Sequence, residues 1–355
     1  MDVGVQTVFA SHGWSAISDA QVYEEDTALA LLAEQLGYDC IWAVEHHFFD
    51  YSFCPDNTQW LAYIAGRTQR IGIGTAAVIL PWNDPLRVAE KISLLDHLSG
   101  GRLRFGMGRG LSRREYANFR GIGMEESRAR FDEASAMITQ ALETGFMEGD
   151  GPFYPQPRTP IRPRPARSFK GRLYSVANSD DSVTAAARLQ ARMVMFADRA
   201  WPKRLPQIES WRAQYRELNG EDAPPPVISD FVYCCADERE AEEKGPVYLA
   251  TYLESILEHY ELRGDHFDDL AGHEAYAKAA TVLRRMSQTQ FLEGYLEATA
   301  YGTPAQIIEK FRARYELFGA FEAAPAFRFG GMPFDEAAAS LTLFAEEVLP
   351  EIRGW

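Results

Sequence analysis

The sequence predicts an α/β chain folded as a (β/α)8 TIM barrel, and three observations carry that prediction. Eight short apolar runs alternate with amphipathic stretches along 355 residues. The runs are continuously apolar rather than alternating, the mark of parallel strands covered by helices. Chemistry-bearing residues cluster at the carboxyl ends of these runs, where barrels of this kind carry their sites. A doubly wound open sheet is the competing architecture, but no G-x-G-x-x-G follows the first run.

The elements follow in order. Residues 3–10 read as a strand, and 19–36 as a helix with Ala28, Leu29, Leu32 and Leu36 on one face and Gly37 as its stop. Strand 39–44, helix 58–67, strand 71–80 and helix 85–98 come next, the last stopped by Gly100-Gly101. Strand 103–107 leads to a helix from about 125 to 145. A connector with six prolines, 152–172, reads as an extended surface loop. The alternation resumes with strand 172–177, helix 181–189, strand 193–197, helix 203–218 and strand 227–235. A charged helical insertion, about 236–300, precedes a late strand near 326–329 and a final helix, 334–352. All of this forms a single domain, 1–355, with the insertion as a candidate lid or dimer contact.

Net charge is −15 with pI near 5.0, which argues against nucleic acid or an anionic membrane as partner. Hydrophobic content of 46 % is ample for a core. The four cysteines show no C-x-x-C or zinc spacing, so reduced thiols in a cytoplasmic protein are expected. Neither a signal peptide nor an apolar run of spanning length is evident.

Four constellations fall at predicted strand ends. Glu45-His46-His47-Phe48 ends the second strand, and histidine is the side chain best suited to exchange protons near neutral pH. Gly74-Thr75-Ala76-Ala77 on the third offers small residues to a planar ligand. Gly106-Met107-Gly108-Arg109-Gly110-Leu111 on the fourth adds a guanidinium suited to phosphate. Asn178-Ser179-Asp180-Asp181-Ser182 places hydroxyls at a helix start, an anion site. Together they suggest a phosphorylated planar cofactor held between Arg109 and Ser179. A metal hydrolase using Glu45 and His47 is the rival from another class. Its remaining ligands would come from His12, His97, His259, His266 or His273, of which only His12 lies near a predicted strand end. No metal is therefore expected.

These residues, with Ile71-Gly72-Ile73-Gly74-Thr75-Ala76-Ala77-Val78-Ile79-Leu80-Pro81, Leu94-Leu95-Asp96, Gly101-Arg102-Leu103-Arg104-Phe105-Gly106 and Tyr301-Gly302-Thr303-Pro304, resemble the bacterial luciferase-like flavin-dependent monooxygenases. They are similar in particular to the catalytic α subunits of luciferase. The resemblance implies a barrel that uses externally supplied reduced flavin mononucleotide (FMN) and O2, through a C4a-(hydro)peroxide, to oxygenate a small, mostly apolar organic substrate. It implies a separate NAD(P)H:flavin reductase and a homodimer.

Position by position, it implies His46 as catalytic acid/base, with Glu45 orienting it. Ala76–Ala77 would be a non-prolyl cis peptide under the flavin ring. Arg109 and Arg128 would bind the phosphate, joined by Ser179 and Ser182. Asn178 stands where luciferase has glutamate, and Leu111 and Phe196 would line the ring. Gly108 replaces luciferase's reactive cysteine and Phe196 a tryptophan, which puts the long-chain aldehyde substrate in question. Phe48, Cys54, Trp82 and Tyr116 are candidate substrate walls. A deazaflavin (F420)-dependent oxidoreductase of the same fold is the alternative.

Overall fold

A computed structural model describes residues 1–12, 17–270 and 272–355; residue 271, within the expected insertion, lies outside the described residues. Eight parallel strands run in sequence order around a barrel: β1 (Gly4–Thr7), β2 (Cys40–Ala43), β3 (Gly72–Thr75), β4 (Leu103–Gly108), β5 (Leu173–Val176), β6 (Arg192–Phe196), β7 (Val227–Cys234) and β8 (Glu322–Ala326). Each pairs with the next, and β7, after pairing with β8 over most of its length, pairs with Ala300–Gly302 at its end. The ring closes through a parallel bridge from Val3 to Ala323. The predicted barrel is therefore the observed fold.

The barrel interior is packed around one indole. Trp42 packs inside with Cys40, Tyr174, Val194, Val227 and Ala324, and its ring meets Tyr174 edge-on at 4.9 Å. Room for it comes from two glycines. A Cβ on Gly74 would stand 2.2 Å from the Trp42 ring, and one on Gly4 2.6 Å from its Nε1. Gly74 thus serves the interior, not a planar ligand as its sequence context suggested. At the amino-terminal end the barrel is plugged by charge: Arg104 donates to Asp2 at 2.9 Å and Glu322 at 3.2 Å, and Arg192 also pairs with Glu322.

Differences from the expected elements have local causes. The third strand breaks after Thr75, where Ala76–Ala77 is cis, and resumes as Val78–Ile79 against β4. The proline-rich connector supplies one strand, Gln156–Pro160, of an antiparallel pair whose other strand, Phe146–Gly149, precedes it. The last strand lies at Glu322–Ala326, ahead of its expected place, and helix Pro304–Phe318 separates it from the insertion. The final helix passes through a π segment at Phe344–Val348.

The insertion comprises helices Glu238–His259, Glu274–Arg285 and Gln288–Ala298. A buried ion pair, Arg314 to Asp230 at 2.7 Å, ties helix Pro304–Phe318 to β7. Among the described residues no helix is long and apolar enough to cross a membrane.

Gly74→Ala should lower stability by about 1–3 kcal/mol in urea titrations, the cost of overpacking a filled interior. Combined with Trp42→Phe, it should cost less than the two single losses added, because both act on one contact.

Candidate functional site at the barrel mouth

Strand β2 ends at Ala43, and the following loop is pinned where the His46 N–H donates to the Cys54 carbonyl at 3.2 Å. Because the strand has already ended, the two imidazoles are freed from strict alternation of faces. Each reaches its own carboxylate. His47 Nε2 lies 3.4 Å from Glu45 Oε1, while His46 Nδ1 lies 3.1 Å from Glu115 Oε1. Glu45 is otherwise held by the Ile79 N–H at 2.9 Å and the Asn83 amide at 3.1 Å. Its side chain is turned toward the resumed third strand, so it faces His47 rather than His46.

Glu115 carries the arrangement. It belongs to the short helix Arg113–Tyr116, capped by Ser112, whose hydroxyl also approaches the His259 carbonyl at 3.4 Å. The Glu115 carboxylate accepts the His47 N–H at 2.7 Å, faces His46, and stands 3.3 Å from His259 Nε2. Burial opposes its charge. The His46 and His259 imidazoles beside it outweigh that cost and bring its pKa down to about 2. His259 is held below its ordinary value, chiefly by burial. Tyr260 places its hydroxyl 3.4 Å from His46 Nε2, and Tyr51 stacks on His259 at 4.3 Å between centroids.

The Ala76–Ala77 peptide is cis, and Asn57 braces it by donating to the carbonyls of Ala77 and Ala43, each at 3.1 Å. Gly108 follows on β4, and a Cβ there would meet Ile79 at 2.9 Å and Ala77 at 3.3 Å, so a larger side chain displaces Ile79.

A second cluster gathers two arginines on a helix start. Arg109 and Arg128 both pair with Asp181, at 3.3 and 2.9 Å. Arg109 also donates to the Gly272 carbonyl at 2.8 Å. Asp181 accepts in turn from the Ser179 hydroxyl, and Ser179 and Ser182 form a capping box at helix Asp180–Arg188, their hydroxyls 2.9 Å apart. Burial first, and then Arg128, press Arg109 below its ordinary pKa. Two neighbouring cations at a helix N-terminus suit a phosphate. Beside Ser179, the Asn178 Oδ1 has no hydrogen-bond partner among the described residues. These residues fit a flavin phosphate, with Asp181 as its competitor.

The remaining expected residues divide. Leu111, Trp82 and Tyr116 pack in one cluster with Met124, Phe267 and Ala280, so the insertion covers this part of the mouth. Phe196 ends β6, half-buried. Cys54 belongs to the main core, and Phe48 is 57 % exposed. Sequence reasoning missed Glu115 altogether.

The chain matches the family described as luciferase-like monooxygenase over residues 1–320. It is 26 % identical to the alkanal monooxygenase alpha chain of Photorhabdus laumondii over 347 residues, covering 95 % of this chain and 94 % of that one. Among solved structures, the monooxygenase RslO1 from Streptomyces bottropensis superposes with a TM-score of 0.82 at 26 % identity, covering 99 % of this chain and all of that one. Two others share the fold at lower identity. One is the oxygenating constituent of 3,6-diketocamphane monooxygenase from Pseudomonas putida in complex with FMN (TM-score 0.75, 18 % identity, 99 % and 98 % covered). The other is an F420-dependent secondary alcohol dehydrogenase (TM-score 0.72, 13 % identity, 98 % of each chain covered). With its barrel and its family match over most of its length, the chain belongs to the luciferase-like monooxygenases.

Proposed function

We propose that this chain is the oxygenating component of a two-component monooxygenase. It would take reduced FMN from a separate NAD(P)H:flavin reductase and use O2 to oxygenate a small, mostly apolar organic substrate. The observation that carries this reading is the pairing of His46 with the buried Glu115 at the strand ends, together with the two-arginine cradle. Bound reduced flavin supplies the electrons for O2 activation.

The chain's own residues do the rest. The Glu115 carboxylate favours the His46 tautomer with its proton on Nδ1, which leaves Nε2, beside the Tyr260 hydroxyl, as the atom that takes and returns a proton. Glu45 positions His47 and the segment after the cis peptide. Arg109, Arg128, Ser179 and Ser182 bind the phosphate, Asn178 meets the cofactor's polar edge, and Ala76, Ala77, Leu111 and Phe196 flank its ring. The aromatic cluster under the insertion excludes water. The acidic surface and the resemblance support a cytoplasmic homodimer.

The F420 reading has its own support in the F420-dependent neighbour. Anaerobic titration of the protein with reduced FMN and, separately, reduced F420 tests the choice. Tighter binding of FMN supports the proposal, and binding of F420 alone overturns it.

Three outcomes are expected. His46→Ala should reduce turnover by about 10²–10⁴-fold, the usual worth of a positioned acid/base, while the Kd for reduced FMN stays nearly unchanged. Arg109→Ala should weaken FMN by roughly tenfold but leave riboflavin, which lacks the phosphate, almost unaffected, and Asp181→Asn should tighten FMN. Glu115→Gln tests the buried carboxylate. Its folded pKa lies below the usual 4.5, so its stabilisation is full above that pH and fades as pH falls toward about 2. Urea titrations should show a loss of roughly 2–3 kcal/mol at neutral pH that shrinks in acid.

A further inference from the structure

We propose that His46, Glu115 and His259 form a binding site for one divalent transition-metal ion, of the two-histidine, one-carboxylate kind. One ligand atom from each residue falls within 4.8 Å of the other two. The residues come from the loop after β2, the short helix after β4 and the end of helix Glu238–His259, so the fold alone assembles them.

The contact between Glu115 and His259 is the informative one. Their facing atoms stand 3.3 Å apart. Yet Glu115 Oε2 and both ring nitrogens of His259 lack an aligned hydrogen bond among the described residues. A neutral imidazole can direct a lone pair at the same point as a carboxylate oxygen, and a cation between them satisfies both. In a tetrahedral zinc site, ligand atoms about 2.0–2.1 Å from the ion stand about 3.3 Å from one another. Each imidazole stands at about that distance from the carboxylate, His46 Nδ1 at 3.1 Å from Oε1 and His259 Nε2 at 3.3 Å from Oε2. The three ligand atoms lie within 4.8 Å of one another, and small turns of the carboxylate and rings bring one oxygen and both imidazoles onto a single ion.

Supporting groups are also present. Tyr260 stands at the far nitrogen of His46, Tyr51 stacks on His259, and the His47 N–H holds Glu115. Three protein donors leave a coordination position for water. On the functional reading above, an ion on His46 Nδ1 removes the imidazole from proton exchange, so metal occupancy would inhibit the oxygenase.

Calorimetric titration of the metal-free, full-length protein with Zn2+, without flavin, tests the site. Saturable one-to-one binding is expected, weakened by about tenfold or more in His259→Ala and in Glu115→Gln. His97→Ala, a surface histidine, should not change it. Circular dichroism checks that each variant is folded, and His259→Asn replaces any variant that is not. Absence of saturable binding, or an affinity that ignores His259 and Glu115, overturns the proposal. Since neither flavin nor O2 is present, failure here is distinct from failure of the monooxygenase reading, which the flavin titrations decide.

Discussion

The Glu115 carboxylate is the point on which the mouth of this barrel depends. It is a buried anion, and such a group persists only where donors and cations surround it. The loop after β2 meets it with the His47 amide and His46 ring, and the insertion with His259. Two segments far apart in the chain are thereby fixed against one short helix. The orientation of the His46 ring and the cover over the mouth follow from that single constraint.

The opposite end of the barrel obeys a different logic. There Arg104, Arg192, Glu322 and Asp2 close the bottom, and Trp42 fills the interior between Gly4 and Gly74. This packing is tight. Rigid strands hold the loops above, where the cis peptide, its Asn57 brace and the arginine cradle sit. Tight packing and the candidate site thus lie at opposite ends, as the architecture favours.

Much of this was legible in the sequence. Continuous apolar runs gave eight strands, and the Glu-His-His and Gly-Arg-Gly stretches marked the strand ends that bear the candidate site. The late strand escaped exact placement because Glu-Ala-Ala-Pro-Ala has no β-branched residue to betray it. Gly74 was legible as a close approach, but only the structure shows an indole as the neighbour.

Glu115 was invisible for another reason. It is one of 51 acidic residues, in a four-residue helix without periodicity, and its role exists only through tertiary contact. His259 sits at the end of a long helix remote from any strand, so its nearness to His46 could not be read from spacing.

Hydrogen–deuterium exchange at single-residue resolution tests the central claim most directly. If Glu115 clamps the mouth, the His47 amide should be strongly protected in the wild type. In Glu115→Ala, exchange should quicken at His47 and around residues 259–260 together, with the barrel strands unchanged. Equal protection of the His47 amide in both proteins, or faster exchange in only one of the two segments, would contradict the account.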